Sequence, residues 1–343
     1  MSTLNTFSRR AFMVMPLALA ACINRQQVLE IVGLSMGTTY KVVAVDHDNR
    51  LDEADIKRAV SAALADVNAA MSNWDAGSEI SRLNAAPAGV ATQMSPELSQ
   101  VMTAAAEVNA ASEGRFDTTL GPLIELWGFG APGEQAMPSE AAIAEARDRS
   151  GHQNSLQLGA GAVQKTRADA QVYLAGIGKG YGADHVGRAL QALGLEDFLV
   201  EIGGDLYAAG RNPEGQPWQI GIESPNAANR GVLGVVGVSG MGLASSGDYR
   251  NYFERDGERF SHLIDPATGR PVQHSTASAT VLAENAMLAD AWSTAMLILG
   301  RERGLQIAER HDIAVQFVAR DAGGANGLKF KTFSSPAFDK LTA

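Results

Sequence analysis

Asp290 and Thr294 stand four residues apart in a stretch whose apolar spacing predicts a helix over residues 285–299. At that spacing both side chains leave the same helix face. A carboxylate oxygen and a threonyl oxygen are hard donors suited to Mg2+, which needs few protein ligands when phosphates and water complete its shell. Met287, Leu288, Trp292, Met296, Leu297 and Ile298 make this an extensively apolar helix, so an unpaired Asp290 in it would be costly. A cation and a buried hydrogen-bonding network both answer that cost, and the spacing leaves the two open. A second candidate is Lys179 within Gly176-Ile177-Gly178-Lys179-Gly180-Tyr181-Gly182. Glycines there expose N–H groups and lysine adds positive charge, an arrangement that suits a phosphate or pyrophosphate. Lys179 is followed by Gly180 rather than Ser or Thr, so this is no Walker motif, and the glycine spacing is not that of a dinucleotide fingerprint. Tight glycine-mediated packing is the competing reading. The third candidate is His262, between a hairpin turn at Asp256-Gly257 and the rigid turn Asp265-Pro266-Ala267-Thr268-Gly269. It is well placed to hold an imidazole over a ligand, and equally placed to bond only its neighbours.

The elements that must position these groups follow from the same patterns. Residues 28–45 read as two strands around Met36-Gly37-Thr38-Thr39. Residues 52–71 read as a helix, with Ile56, Val60, Leu64, Val67 and Met71 on one face and acids at its start. Further helices are expected from Ser95 or Pro96 to Ser112, over 139–149, and from the glycine unit to about Leu193. Strands are expected around 163–172, over 198–202, 206–210, 218–223 and 233–238, over 259–264 as the return of the hairpin, and over 277–282. Residues 302–310 and 313–319 read as two further separate elements. The strands from 203 to 282 have few long helices between them, which argues α+β rather than βαβ alternation. Trp74, in the polar segment Ser72-Asn73-Trp74-Asp75, either packs on the fold or stacks on a flat ring, and Trp127 and Phe129 pose the same choice.

The chain of 343 residues is 45% hydrophobic and 19% charged with a formal net charge of -10, values of a folded globular protein without the basic surface that nucleic-acid binding requires. Residues 1–21 form a targeting segment: Arg9-Arg10 before an apolar run resembles a twin-arginine signal, and the run is too short for an ordinary membrane span. Leu19-Ala20-Ala21-Cys22 has the form of a lipobox, making Cys22 the expected lipidated first residue of the mature chain, with residues 22–27 as a tether and 28–340 as one catalytic domain. Cys22 is the single cysteine, which excludes an intramolecular disulfide or thiolate cluster.

In shared order, several units resemble one family, the bacterial FAD:protein FMN transferases or ApbE flavin transferases. They are Met36-Gly37-Thr38-Thr39-Tyr40, Ser78-Glu79-Ile80-Ser81-Arg82-Leu83-Asn84, Gly114-Arg115-Phe116-Asp117 with Leu126-Trp127-Gly128-Phe129-Gly130, and Gly176-Ile177-Gly178-Lys179-Gly180-Tyr181. Glu201-Ile202-Gly203-Gly204-Asp205, Ser246-Gly247-Asp248-Tyr249, His262-Leu263-Ile264-Asp265-Pro266-Ala267-Thr268-Gly269-Arg270-Pro271 and Asp290-Ala291-Trp292-Ser293-Thr294 continue the match over most of the chain. The resemblance implies a T-fold-like α+β architecture of mixed and antiparallel sheets with packed helices. It implies Mg2+-dependent transfer of the FMN portion of FAD to a threonine or serine of a target flavoprotein of a respiratory electron-transfer system, with release of AMP. It further implies a lipoprotein on the periplasmic face of the inner membrane.

Residue by residue, the resemblance places Mg2+ on Asp290, Thr294 and a main-chain oxygen at Gly176. It places FAD against Met36, Gly114, Arg115, Phe116, Lys179, Tyr181 and His262, and against Trp74, where the family usually has tyrosine. His262 is then the candidate acceptor of the hydroxyl proton, helped by Asp265 or Asp248. One departure is Tyr173, where the family often has aspartate; Asp169 or Asp205 is available to stand in. The same groups would serve FAD hydrolysis to FMN and AMP, and a lipoprotein that only binds or assembles flavin would share many of them.

Overall fold

The computed structural model describes residues 26–130, 137–226, 231–321 and 329–342; the signal segment, Cys22 and the turn-rich residues 323–327 lie outside them. Strands β1 (Gln27–Ser35) and β2 (Thr38–Asp46) are joined by a two-residue turn, Met36-Gly37, with φ of 52° and 73°. Both angles are left-handed, which Gly37 adopts freely and Met36 only under strain. The turn is two residues shorter than the sequence suggested, because Thr38 and Thr39 already pair with Ser35 and Leu34.

Six more strands extend this hairpin: β3 (Asp197–Ile202), β4 (Asp205–Ala209), β5 (Met241–Gly247), β6 (Thr276–Ala283), β7 (Ala314–Asp321) and β8 (Lys329–Ser334). They form one sheet in the order β1-β2-β3-β4-β5-β6-β7-β8. Every neighbouring pair is antiparallel, so the fold is α+β as expected. The short strands Ala91–Gln93, Leu156–Gly159 and Ala162–Lys165 make a separate sheet. Only the last of these falls at the start of the strand region expected over 163–172.

Four helices matter for the site: α1 (Glu53–Met71), α2 (Pro96–Ala111), α3 (Gly178–Ala192) and α4 (Ala286–His311). Asp52 and Asp55 close a capping box on α1, and the five expected apolar positions are all buried. Each such side chain contributes roughly 1.5–3 kcal/mol when fully buried. On α4, Met287, Ala291 and Ala295 pack with Phe116, Tyr181 and the apolar face of α2. Ala289, Met296 and Leu297 pack instead on Ala244, Val281 and Phe317 of the sheet. The first part of α4, residues 286–300, is therefore apolar nearly all round because it is covered on both sides.

As the sequence suggested, residues 302–310 are set apart from the first part of α4: Gly300, with φ 71° and ψ 168°, is non-helical and kinks the run into two helices. A Cβ there would lie 2.8 Å from the His274 ring, so the bend makes room for that histidine. Two short helices, Glu79–Ala85 and Gly121–Leu126, were not anticipated. Trp127 is a core residue: it is 1% exposed, donates to Gly269 O at 2.9 Å and stacks on Phe260.

Candidate functional site

Helix α3 approaches α4 at Gly180, where a Cβ would lie 2.5 Å from Ala286 C and 2.8 Å from Asp290 Cβ. The approach lets Gly180 N–H donate to Asp290 Oδ2 at 3.0 Å. Farther along α3, Asp184 accepts from Ala286 N at 2.8 Å and Met287 N at 2.9 Å, which satisfies two of the free N–H groups at the start of α4. Burial pushes the Asp184 carboxyl up to about 6 against the pull of those two N–H groups. One turn beyond Asp290, Thr294 comes up against Gly176, whose missing Cβ would sit 3.1 Å from Thr294 Oγ1.

Lys179 projects from the first turn of α3 to within 2.5 Å of Asp205 Oδ2 and 3.5 Å of Asp290 Oδ2. Asp205 arrives there through the turn at Gly203 and Gly204, with φ of 60° and 102°. Burial works against the charge on Lys179, but Asp205 and Asp290 overcome it and raise its pKa above the ordinary value. Burial, with Asp205 as neighbour, pushes the Asp290 carboxyl up to about 7 despite Lys179 and the Gly180 N–H. Ser246 Oγ lies 3.3 Å from Thr294 Oγ1 and 2.9 Å from Ser293 Oγ, extending the set of hydroxyls.

His262 stands just past the hairpin strand Glu258–Ser261, not within a strand running to 264. Its backbone N–H donates to Asn251 O at 3.1 Å, and its Nδ1 lies 3.0 Å from the same oxygen. A carbonyl oxygen only accepts, so Nδ1 carries the proton and Nε2 of the neutral ring keeps its lone pair. Burial lowers the pKa of His262, with Lys179 acting in the same direction against Asn251 and Asp248.

The expected helpers of His262 are engaged elsewhere. Both Asp248 oxygens accept from Arg320, and Asp265 Oδ1 pairs with Arg115 at 3.3 Å while accepting from Ala267 N. Asn251, which the sequence reading missed, orients the ring through its backbone carbonyl, a role that its side-chain type does not signal.

Lys179, Asp205, Ser246, His262, Asp290 and Thr294 line one cavity of about 330 Å3, with Phe116 and Gly176 also on its wall. A second cavity of about 520 Å3 is lined by Met36, Trp74 and Phe129. Ile124, Tyr173, Ala175, Lys179, Asn251 and His262 line both, so the two are adjoining chambers of one cleft. Trp74 is 74% exposed at the second chamber, placed to cover a flat ring rather than to fill the core.

Three expected contacts do not join the cleft. Tyr181 is 1% exposed, stacked on His185 with Arg188 over its ring. Arg115 faces a separate hollow with Asp265, and Gly114 lines neither chamber. Tyr173 donates its hydroxyl to Glu125 at 2.7 Å, and burial with Glu125 pushes its pKa up to about 12. Of the two acids that might stand in at that position, Asp169 pairs with Arg167 while Asp205 lies in the first chamber.

Asp290, Thr294 and Gly176 line the same chamber and offer oxygen donors with one carboxylate, and no cluster of three or more His, Cys, Asp or Glu side chains suited to a metal occurs among the described residues. That set fits Mg2+ held jointly with phosphate oxygens and water, and it does not fit a metal that needs an all-protein cage.

Residues 36–317 match the sequence profile of the ApbE family. The FAD:protein FMN transferase of Haemophilus influenzae is 41% identical over 338 residues, covering 96% of this chain and 95% of the relative. The one from Vibrio cholerae serotype O1 is 35% identical over 323 residues, covering 94% of this chain and 95% of the relative. Among solved structures, the flavin transferase ApbE from Vibrio cholerae superposes with a TM-score of 0.85 at 33% identity, covering 92% of this chain and 100% of that chain. The apo flavinyl transferase ApbE of Pseudomonas stutzeri gives 0.83 at 40% identity, with coverage of 92% and 97%.

Proposed function

The chain belongs to the ApbE family of FAD:protein FMN transferases, and we propose that it moves the FMN portion of FAD onto a threonine or serine hydroxyl of an exported or membrane-bound flavoprotein, with Mg2+ as the metal and AMP as the leaving group. The observation that carries this reading is the pair of adjoining chambers. One gathers Lys179, Asp205, His262, Asp290 and Thr294, and the other is walled by Met36, Trp74 and Phe129. A dinucleotide needs such a division, with charge control at its pyrophosphate and an apolar wall for a ring system.

Lys179 supplies a permanent positive charge to the pyrophosphate. Asp290, Thr294 and the Gly176 carbonyl would hold Mg2+, which supplies neutralisation of charge on the phosphate oxygens as AMP leaves. The acceptor hydroxyl oxygen bonds to the phosphorus on the FMN side, and the bond from that phosphorus to the bridging oxygen breaks with its electron pair going to AMP. His262 takes the hydroxyl proton on Nε2 while Asn251 O holds the opposite side of the ring. Met36, Trp74 and Phe129 wall the second chamber, where the flavin ring would lie.

The test is a product analysis with FAD, Mg2+ and an exported flavoprotein domain carrying the acceptor pattern Asp-x-x-Ser/Thr-Gly-Ala-Ser/Thr. Flavin retained on the denatured acceptor, with one AMP per flavin, supports transfer. AMP with free FMN means hydrolysis instead, and FAD bound without AMP release means a binding protein. We further propose that Cys22 carries lipid and holds residues 28–340 at the periplasmic face of the inner membrane, a reading supported by the Leu19-Ala20-Ala21-Cys22 motif.

A further inference from the structure

Lys179 is a cation held between two carboxylates, and the two differ in what else they serve. Asp290 Oδ2 also accepts the Gly180 N–H, and on the proposed reading Asp290 holds the metal with Thr294 and Gly176. Asp205, 4% exposed, lies outside that set and contacts Lys179 more closely, at 2.5 Å against 3.5 Å. Its place is fixed by the Gly203-Gly204 turn, and a Cβ on Gly203 would lie 3.3 Å from Lys179 Cδ, so this turn cradles the lysine stem.

A divalent cation on Asp290 would bring two cations to one carboxylate in a partly desolvated site, where like charges repel more strongly than in water. The lysine head then has reason to leave Asp290, and its flexible four-carbon stem lets it do so. We propose that Asp205 is a positioning residue for Lys179: it holds the ammonium beside Asp290, and keeps it within reach of the FAD pyrophosphate when a divalent cation takes that carboxylate. Metal and FAD then strengthen each other's binding, because the metal turns Lys179 toward the phosphates and the phosphates draw Lys179 from the metal's ligand. The inference rests on the Mg2+ reading above and adds the order of charges within it.

Calorimetric titration of the full-length chain with MgCl2, with FAD, and with each in the presence of the other tests it without an acceptor protein. In the wild type Mg2+ tightens FAD about tenfold, and FAD tightens Mg2+ by the same factor. Asp205→Asn reduces this coupling to about twofold or less, and Asp205→Glu recovers part of it. Lys179→Met weakens FAD binding yet lets Mg2+ bind the FAD-free chain more tightly than the wild type does. Coupling unchanged in a folded Asp205→Asn variant, or Mg2+ binding no tighter in Lys179→Met, would overturn the positioning role. No Mg2+ uptake by the wild type with or without FAD would overturn the metal reading itself, and this role with it.

Discussion

At the scale of single residues, the proposed reaction depends on His262 being neutral and aimed. The Asn251 carbonyl fixes its tautomer and burial lowers its pKa below the ordinary 6.5. The proton-accepting form therefore prevails at neutral pH and is lost only as pH falls through the lowered value. We predict that kcat at saturating FAD and Mg2+ is flat near neutrality and declines on an acid limb below pH 6.5. His262→Ala cuts kcat by about 10²–10⁴-fold and removes that limb, while FAD affinity, read by flavin fluorescence, changes little. Equal losses of binding and kcat would instead make the histidine a binding group. Saturating metal is essential to this comparison, because Asp290, pushed up to about 7 by burial, loses its charge over a nearby range and would add its own acid limb through metal binding.

Among the elements, the contact of α3 with α4 sets the position of Asp290, and Gly180 is its closest point. An alanine Cβ would run into the backbone of Ala286 and into Asp290 Cβ, neither of which is a flexible side-chain end. Gly180→Ala should therefore destabilise the fold by about 1–3 kcal/mol or more and weaken Mg2+ binding together with stability. Urea unfolding and metal titration of the same variant check both, and a variant with unchanged midpoint and metal affinity would refute the packing argument. Elements such as α1 were legible in the sequence because a single buried face repeats at helical spacing and a capping box marks the start. The helices Glu79–Ala85 and Gly121–Leu126 were not, being too short for periodicity to show. The break in α4 at Gly300 was legible as the split before residues 302–310, whereas the His274 ring packed against that glycine was not, because the contact comes from a residue distant in sequence. The same division holds within the site. Asp290, Thr294, Lys179 and His262 could be picked out by residue type and spacing, and they do line one chamber. Asn251 acts through its backbone carbonyl, which no side-chain motif reports. Asp205 gained its importance only when the sheet brought the Gly203-Gly204 turn beside Lys179. Tyr181 and Arg115 were expected at FAD from the family resemblance, but Tyr181 is buried against His185 and Arg115 faces a separate hollow with Asp265.

For the molecule as a whole, an eight-stranded antiparallel sheet covered by α4 gives the cleft a rigid floor, and the formal charge of -10 gives no general attraction to acidic lipid or nucleic acid. No helix among the described residues is long and apolar enough to cross a membrane; separately, the proposed reading attaches the chain through lipid on Cys22. Cys22→Ser should move the protein from the membrane fraction to the soluble periplasmic fraction without changing turnover by the purified protein; unchanged fractionation would refute lipid attachment at that residue. The central claim is that the cleft gathered by α3 and α4 transfers FMN to another protein with a metal on Asp290. The measurement that tests it most directly is the intact mass of an acceptor flavoprotein after incubation with the enzyme, FAD and Mg2+. An increase matching one FMN, absent without Mg2+ and absent with a folded Asp290→Ala enzyme, is the predicted result. The same increase from Asp290→Ala, or from the wild type after complete removal of divalent metal, would contradict it.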